Sequence, residues 1–232
     1  MLAVVKALLQ LRHIKLWFFA FWMMPFAWLI WGVANHALGA NPAEYLIRST
    51  GELTLRLLCV TLAITPFRQA FGLHALAKLR RMSGLLVFFY ACLHMLSYAW
   101  LDMGFEWLDV AKDIAKRPFI LVGFTSFVLL SLLAATSFNQ AAKWLGTKRW
   151  QLLHRAVYAI AALALLHFFW MRAGKNNFAD VWIYATIIVT LLSWRVMRTL
   201  KTNQQAKQSS LNQPLQSHLI RSRLPPTNHM RM

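Results

Sequence analysis

The segment from Lys148 to Arg172, KRWQLLHRAVYAIAALALLHFFWMR, is an apolar run with basic residues at both ends and two histidines, His154 and His167, inside it. Its length suits one helical crossing of a bilayer. A polar ring without a partner is costly in hydrocarbon, and ionisable groups at that depth face a cavity or one another. Two imidazoles in one span therefore need a reason. A third, His94, lies in another apolar run, LLVFFYACLHMLSYAW. Together the three suggest axial ligands for a haem held between helices.

Composition supports the membrane setting. The chain has 232 residues, 59% hydrophobic and 14% charged, with 11 Trp and 16 Phe, which separates it from soluble domains of similar length. A net charge of +18 would suggest nucleic acid for a soluble protein. Here Lys and Arg are beads between apolar runs, so no nucleic-acid partner is expected. Cys59 and Cys92 lie within apolar runs without paired spacing, and no CxxCH attachment is present. A disulfide framework is excluded, and any haem should be non-covalent. No Gly-rich dinucleotide loop occurs, and the polar tail is far too short for a flavin or nicotinamide domain.

Six apolar segments of about 18 to 22 residues predict an all-α, polytopic six-helix transmembrane bundle. They are Leu16 to Asn35, Leu53 to Phe71, Ser83 to Leu101, Pro118 to Phe138, Trp150 to Met171 and Val181 to Arg198. The first lacks a small-residue cleavage site and is read as a retained span. Pro25 should kink the first span, and Pro118 suits the first turn of the fourth. Glu52 and Arg56, four apart, should pair near the start of the second. Placing the N-terminus inside collects most of the Lys and Arg on the inner side. All seven acidic residues, Glu44, Glu52, Asp102, Glu106, Asp109, Asp113 and Asp180, then fall on or beside the outer loops. Both termini are expected to be cytoplasmic. The division is a 1–15 N-terminal segment, a 16–198 transmembrane haem domain, and a 199–232 basic, disordered tail able to touch anionic lipid. Two outer stretches, Asn35 to Thr50 and Asp102 to Arg117, are long enough for short interfacial helices, and the latter alternates apolar and acidic residues.

Five of the eight histidines, His13, His36, His74, His218 and His229, lie at span borders, in loops or in the tail, and read as solvated or interfacial. His94, His154 and His167 lie within spans. The third and fifth spans run in the same direction, so depth can be counted from their flanking charges. His94 and His167 then differ by roughly 6 Å along the axis, against roughly 14 Å for His94 and His154. His94 with His167 is the better cross-helix pair, and a bis-His haem would transfer electrons without an open position for oxygen. His154, on a straight helix, lies roughly 220° around and roughly 20 Å along from His167. It should serve the inner level: a second haem with His74 as partner, or a quinol or flavin site where it exchanges protons. Arg80, Arg81, Arg149 and Arg155 could hold propionates or a phosphate there, although positive-inside anchoring already accounts for them.

A set of motifs runs through the chain in order: an NH-x-LGANP-like loop after the first span, ITPFR closing the second, RRMSGLL and LH-x-x-SY in the third. KRP opens the fourth, and KRWQLLHR-x-VY is followed by a histidine 13 positions after His154. This order, over about Leu16 to Arg198, resembles the MsrQ/YedZ family, within the wider ferric-reductase-like transmembrane group. The resemblance implies a bacterial inner-membrane, haem-binding subunit of the periplasmic methionine sulfoxide reductase system. Such a subunit would take electrons from the quinone pool or a cytoplasmic flavin reductase and pass them to a periplasmic molybdopterin-containing catalytic subunit. It also implies haem b and FMN as cofactors, with His94, His154 and His167 as the matching haem residues and no residue matched to FMN. The wider group displays two histidines on each of two helices, whereas the third span here has only His94, which leaves the haem count open. Two other readings compete: a stand-alone transmembrane metalloreductase or cytochrome b, weakened by the missing nucleotide domain, and a transporter or scaffold with a histidine proton relay, which lacks a visible internal repeat.

Overall fold

A computed structural model describes residues 13–174, 176 and 178–223. Among these residues there is no strand, and the helices are α1 (Ile14–Ala34), α2 (Pro42–Phe71), α3 (Ala77–Ser97), α4 (Trp107–Lys116), α5 (Pro118–Ala135), α6 (Asn139–His154), α7 (Val157–Ala173) and α8 (Ala179–Arg223). A single 3₁₀ turn, His74–Leu76, leads into α3, and a π-helical turn, Tyr98–Asp102, continues it. Among the described residues six stretches are long and apolar enough to cross a membrane: Ile14–Ala34, Pro42–Phe71, His74–Asp102, Pro118–Ala135, Asn139–Ala173 and Ala179–Gln205. Each contains most of one expected segment, and the chain is a multi-pass membrane protein. Most of the expected 1–15 segment, His229 and the end of the expected tail fall outside the described residues.

Local signals set the helix ends. Asn41 caps α2 by accepting the Glu44 N–H at 3.1 Å, with Pro42 in the first turn, a strong start signal. The helix therefore begins at Pro42 and absorbs the region where a separate interfacial helix was expected. It ends at Gly72, whose φ of 64° suits glycine, with the cap N–H donating to Arg68 O. Pro118 occupies the first turn of α5 as expected. Helix α1 runs through Pro25. The expected helix between Asp102 and Arg117 is α4.

The quoted segment is not one straight helix. α6 ends at His154 and α7 starts at Val157, with the Ala156 N–H donating to Leu153 O at 2.9 Å and Tyr158 N–H to Arg155 O at 3.0 Å. These i→i−3 bonds tighten the backbone into a 3₁₀-like turn. The angle of roughly 220° between His154 and His167 assumed a straight helix and does not apply across this turn. α6 is itself interrupted at Gly146, with φ 73° and ψ 153°.

The chain divides into two units, Met1–Leu191 and Leu192–Met232, with α8 entering both. In the second unit α8 continues to Arg223, past the composition change at Arg198 where a disordered tail was expected; apart from Pro214, the intervening residues are compatible with helix. In the first unit α2 packs along α3, and α5 along α7, while α3 also meets α5. Leu57, Leu58, Leu62, Val87, Tyr90 and Ile160 are fully buried between them. The buried Ser83 hydroxyl sits 2.6 Å from Thr61 Oγ1, and Tyr90 OH donates to Trp22 O, tying α3 to α2 and α1. Satisfied hydroxyls of this kind suit helices that pack in lipid. α1 leaves Trp17, Trp28 and Trp31 exposed, as a lipid-facing helix does.

Candidate functional site

Helix α3 carries His94 and α7 carries His167, and the fold brings the two rings together. Their centroids are 6.3 Å apart and their planes cross at 72°. Each ring is anchored to the backbone of the preceding helix in its pair. His94 Nδ1 lies 2.9 Å from Ile47 O on α2, and His167 Nδ1 lies 2.7 Å from Phe119 O on α5. A carbonyl oxygen only accepts, so Nδ1 must carry the proton in both rings and donate. That fixes the tautomer and leaves an Nε2 lone pair on each ring. Among the described residues neither Nε2 has a hydrogen-bond partner.

This donor set can be tested against a bis-imidazole metal. Metal–imidazole bonds of about 2 Å on opposite sides, plus the distance from each nitrogen to its ring centre, require centroids about 6 Å apart. The observed separation meets this. Histidine ligands ordinarily give their other N–H to a carbonyl or carboxylate, as both rings do here. Among the described residues no cluster of three or more His, Cys, Asp or Glu could hold a bare metal ion, so the pair suits a prosthetic group that brings its own equatorial ligands.

His154 stands apart from the pair. Its ring ends α6, stacks on Trp150 at 4.1 Å, and has Nε2 3.3 Å from Thr136 Oγ1. Trp150 Nε1 donates to Thr136 O at 2.8 Å. His74 lies in the 3₁₀ turn, and no contact between it and His154 is present among the described residues.

Three features escaped the sequence reading. Glycines 51 and 123 lie against the two rings: a Cβ at Gly51 would stand 3.0 Å from His94 Cε1, and one at Gly123 would stand 2.8 Å from His167 Nδ1. A lone glycine inside a helical pattern is a recognised sign of close packing, and that signal was available. The carbonyls of Ile47 and Phe119 carry no side-chain signature at all. The third feature is an ion-pair network beside the pair. Arg172, read as a flanking charge, is buried and donates to Glu52 at 2.8 Å and Asp180 at 3.1 Å, with its guanidinium over Phe168. The expected Glu52–Arg56 pair forms at 3.2 Å, and Arg56 also donates to Tyr184 OH at 3.1 Å. α2, α7 and α8 are thereby joined at the acid-bearing end, next to Gly51 and one turn beyond His167.

Comparison with known proteins agrees with this architecture. The family described as ferric reductase like transmembrane component matches residues 50–165, a range that contains His94 and His154 and stops just short of His167. A protein of Polaromonas naphthalenivorans named protein-methionine-sulfoxide reductase heme-binding subunit MsrQ is 62% identical over 174 residues, covering 75% of this chain and 80% of its own. Proteins of the same name from Bordetella parapertussis and Azospira oryzae are 51% and 45% identical, covering 79% and 84% of this chain and 89% and 83% of theirs. No solved structure matches the chain. With that identity sustained over three quarters of its length, the chain belongs to the MsrQ family of the ferric-reductase-like transmembrane group.

Proposed function

We propose that this chain is the haem-binding, electron-transfer subunit of a methionine sulfoxide reductase system in the bacterial inner membrane, with His94 and His167 as the residues that would hold one haem b. The observation that supports it most is the pair of imidazoles 6.3 Å apart, each with Nδ1 committed to a helix carbonyl. The relatives' name, heme-binding subunit, points the same way. Haem b, when bound, supplies a one-electron iron couple.

The protein's own residues do the rest. His94 and His167 each present Nε2, and the anchored Nδ1–H keeps each ring in that tautomer and raises its basicity as a ligand. With both Nε2 atoms holding the group, the site would be suited to electron transfer. His154, held by Thr136 and Trp150 at the other end of α5 and α7, serves the level where electrons enter, as a second haem ligand or at the donor site. The donor is the quinone pool or a cytoplasmic flavin reductase, and the acceptor is a periplasmic molybdopterin-containing catalytic subunit; FMN has no assigned residue.

An absorption spectrum of the purified protein after haem-replete expression, oxidised and then reduced with dithionite, tests the class of function. A low-spin b-type spectrum is expected. Its absence would leave a histidine-relay transporter or scaffold as the better reading.

A further inference from the structure

The two anchored histidines are held by the same device used twice. His94 bonds a carbonyl 47 residues earlier, Ile47 O, and His167 bonds one 48 residues earlier, Phe119 O. In both cases the residue four positions after that carbonyl is a glycine, Gly51 on α2 and Gly123 on α5, and the ring lies against it. The spacing has a geometric cause. A helix carbonyl at position i already accepts the amide of i+4, so a side chain must approach its second lone pair from the side. Each Cβ in a helix leans toward the N-terminus, so the Cβ of i+4 stands over the turn that holds that carbonyl. Only glycine at i+4 leaves room for an imidazole.

We infer that Gly51 and Gly123 are paired positioning residues, which set where the His94 and His167 rings sit and the angle at which their planes cross. The two halves, α2 with α3 and α5 with α7, form a structural repeat of carbonyl, glycine and histidine that inspection of the sequence does not reveal. Added bulk differs between the halves. A Cβ at Gly123 would meet Nδ1 at 2.8 Å and Cε1 at 2.9 Å of His167, so the anchoring bond itself must move. At Gly51 the nearest atoms are His94 Cε1 at 3.0 Å and Nδ1 at 3.1 Å, which a shift of a few tenths of an ångström relieves. Gly84, inside α3, has nothing within 4 Å of its notional Cβ and serves as an internal control.

The inference rests on His94 and His167 being the axial ligands, and the experiment separates the two claims. The full-length protein and its Gly51→Ala, Gly123→Ala and Gly84→Ala variants would be purified haem-loaded, then compared by haem retention against apomyoglobin and by low-spin EPR, which reports the angle between axial ring planes. Gly123→Ala should weaken haem retention roughly 10-fold, as loss of an outer support does at other metal centres. Gly51→Ala should keep its haem and move the EPR g values, while Gly84→Ala should match the wild type in both. Should Gly123→Ala fail to accumulate in the membrane, Gly51→Ala decides alone. Wild-type retention and g values in Gly51→Ala, alongside loss of haem in His94→Ala and His167→Ala, would overturn the positioning role and leave the ligand assignment standing. Haem binding unaffected by removal of either histidine would overturn both.

Discussion

A histidine inside a helical bundle has two nitrogens to satisfy, and among the described residues only Nδ1 of His94 and of His167 has a hydrogen-bond partner, a main-chain carbonyl that cannot donate. The second nitrogen is thereby kept as a lone pair. His154 differs, because its Nε2 faces Thr136 Oγ1 and its ring is stacked on Trp150. We expect His154→Ala to leave the low-spin signal of the His94/His167 pair intact while slowing reduction of the haem by its donor, followed by stopped-flow absorbance; loss of that signal would place His154 in the pair's own site. Arg172 is the most exposed to mutation of the charged residues. It is 7% exposed and its partners are Glu52 and Asp180. Removing one partner of a buried pair costs about 3–5 kcal/mol, and the remaining Asp180 contact places Glu52→Ala at or below the low end of that range. A thermal melt in detergent checks this, and an unchanged midpoint would contradict it. At this scale the three histidines were legible because a polar ring in an apolar run is conspicuous. Gly51, Gly123 and the burial of Arg172 were not, since each depends on which helix lies alongside.

At the scale of elements, α4 and the π-helical turn show how a polar loop is held against an apolar bundle. Tyr98 OH, in the turn that continues α3, donates to Asp113 Oδ2 at 2.7 Å, and Asp113 also pairs with Arg117 at 2.8 Å. Val110 is buried while Trp107 and Leu108 on the same helix are exposed. A hydrogen bond to a charged group contributes about 1.5–3 kcal/mol, so Tyr98→Phe should loosen the docking of Trp107–Lys116 without disturbing His94, one turn away. Hydrogen exchange across that segment should rise, with the haem spectrum unchanged; equal exchange in both proteins would count against the role of the bond. Helix identity was legible from apolar length and Pro118 marked one of the starts, whereas the Asn41–Pro42 start of α2 lies well before the expected boundary at Leu53. The turn at Arg155–Ala156 and the break at Gly146 were not, because the apolar run continues through the first and the second lies in a basic loop.

For the whole molecule, the six spans and the family followed from the sequence, while the packing of α2 with α3 and α5 with α7 did not, since apolar faces in lipid do not announce their partners. All seven acidic residues fall on or beside the loops on one side of the expected spans, and from the positive-inside rule we expect both termini in the cytoplasm. A C-terminal green fluorescent protein fusion should fluoresce, and a C-terminal alkaline phosphatase fusion should be inactive; the reverse would invert the electron path. The path we propose runs from the His154 end to the His94/His167 end, so it depends on the pair being one site. The direct test is the visible spectrum of His94→Ala and His167→Ala, each purified in full-length form beside the wild type. Loss of the same low-spin b-type signal in both variants is the predicted result, and a normal bis-histidine spectrum in either would contradict the account.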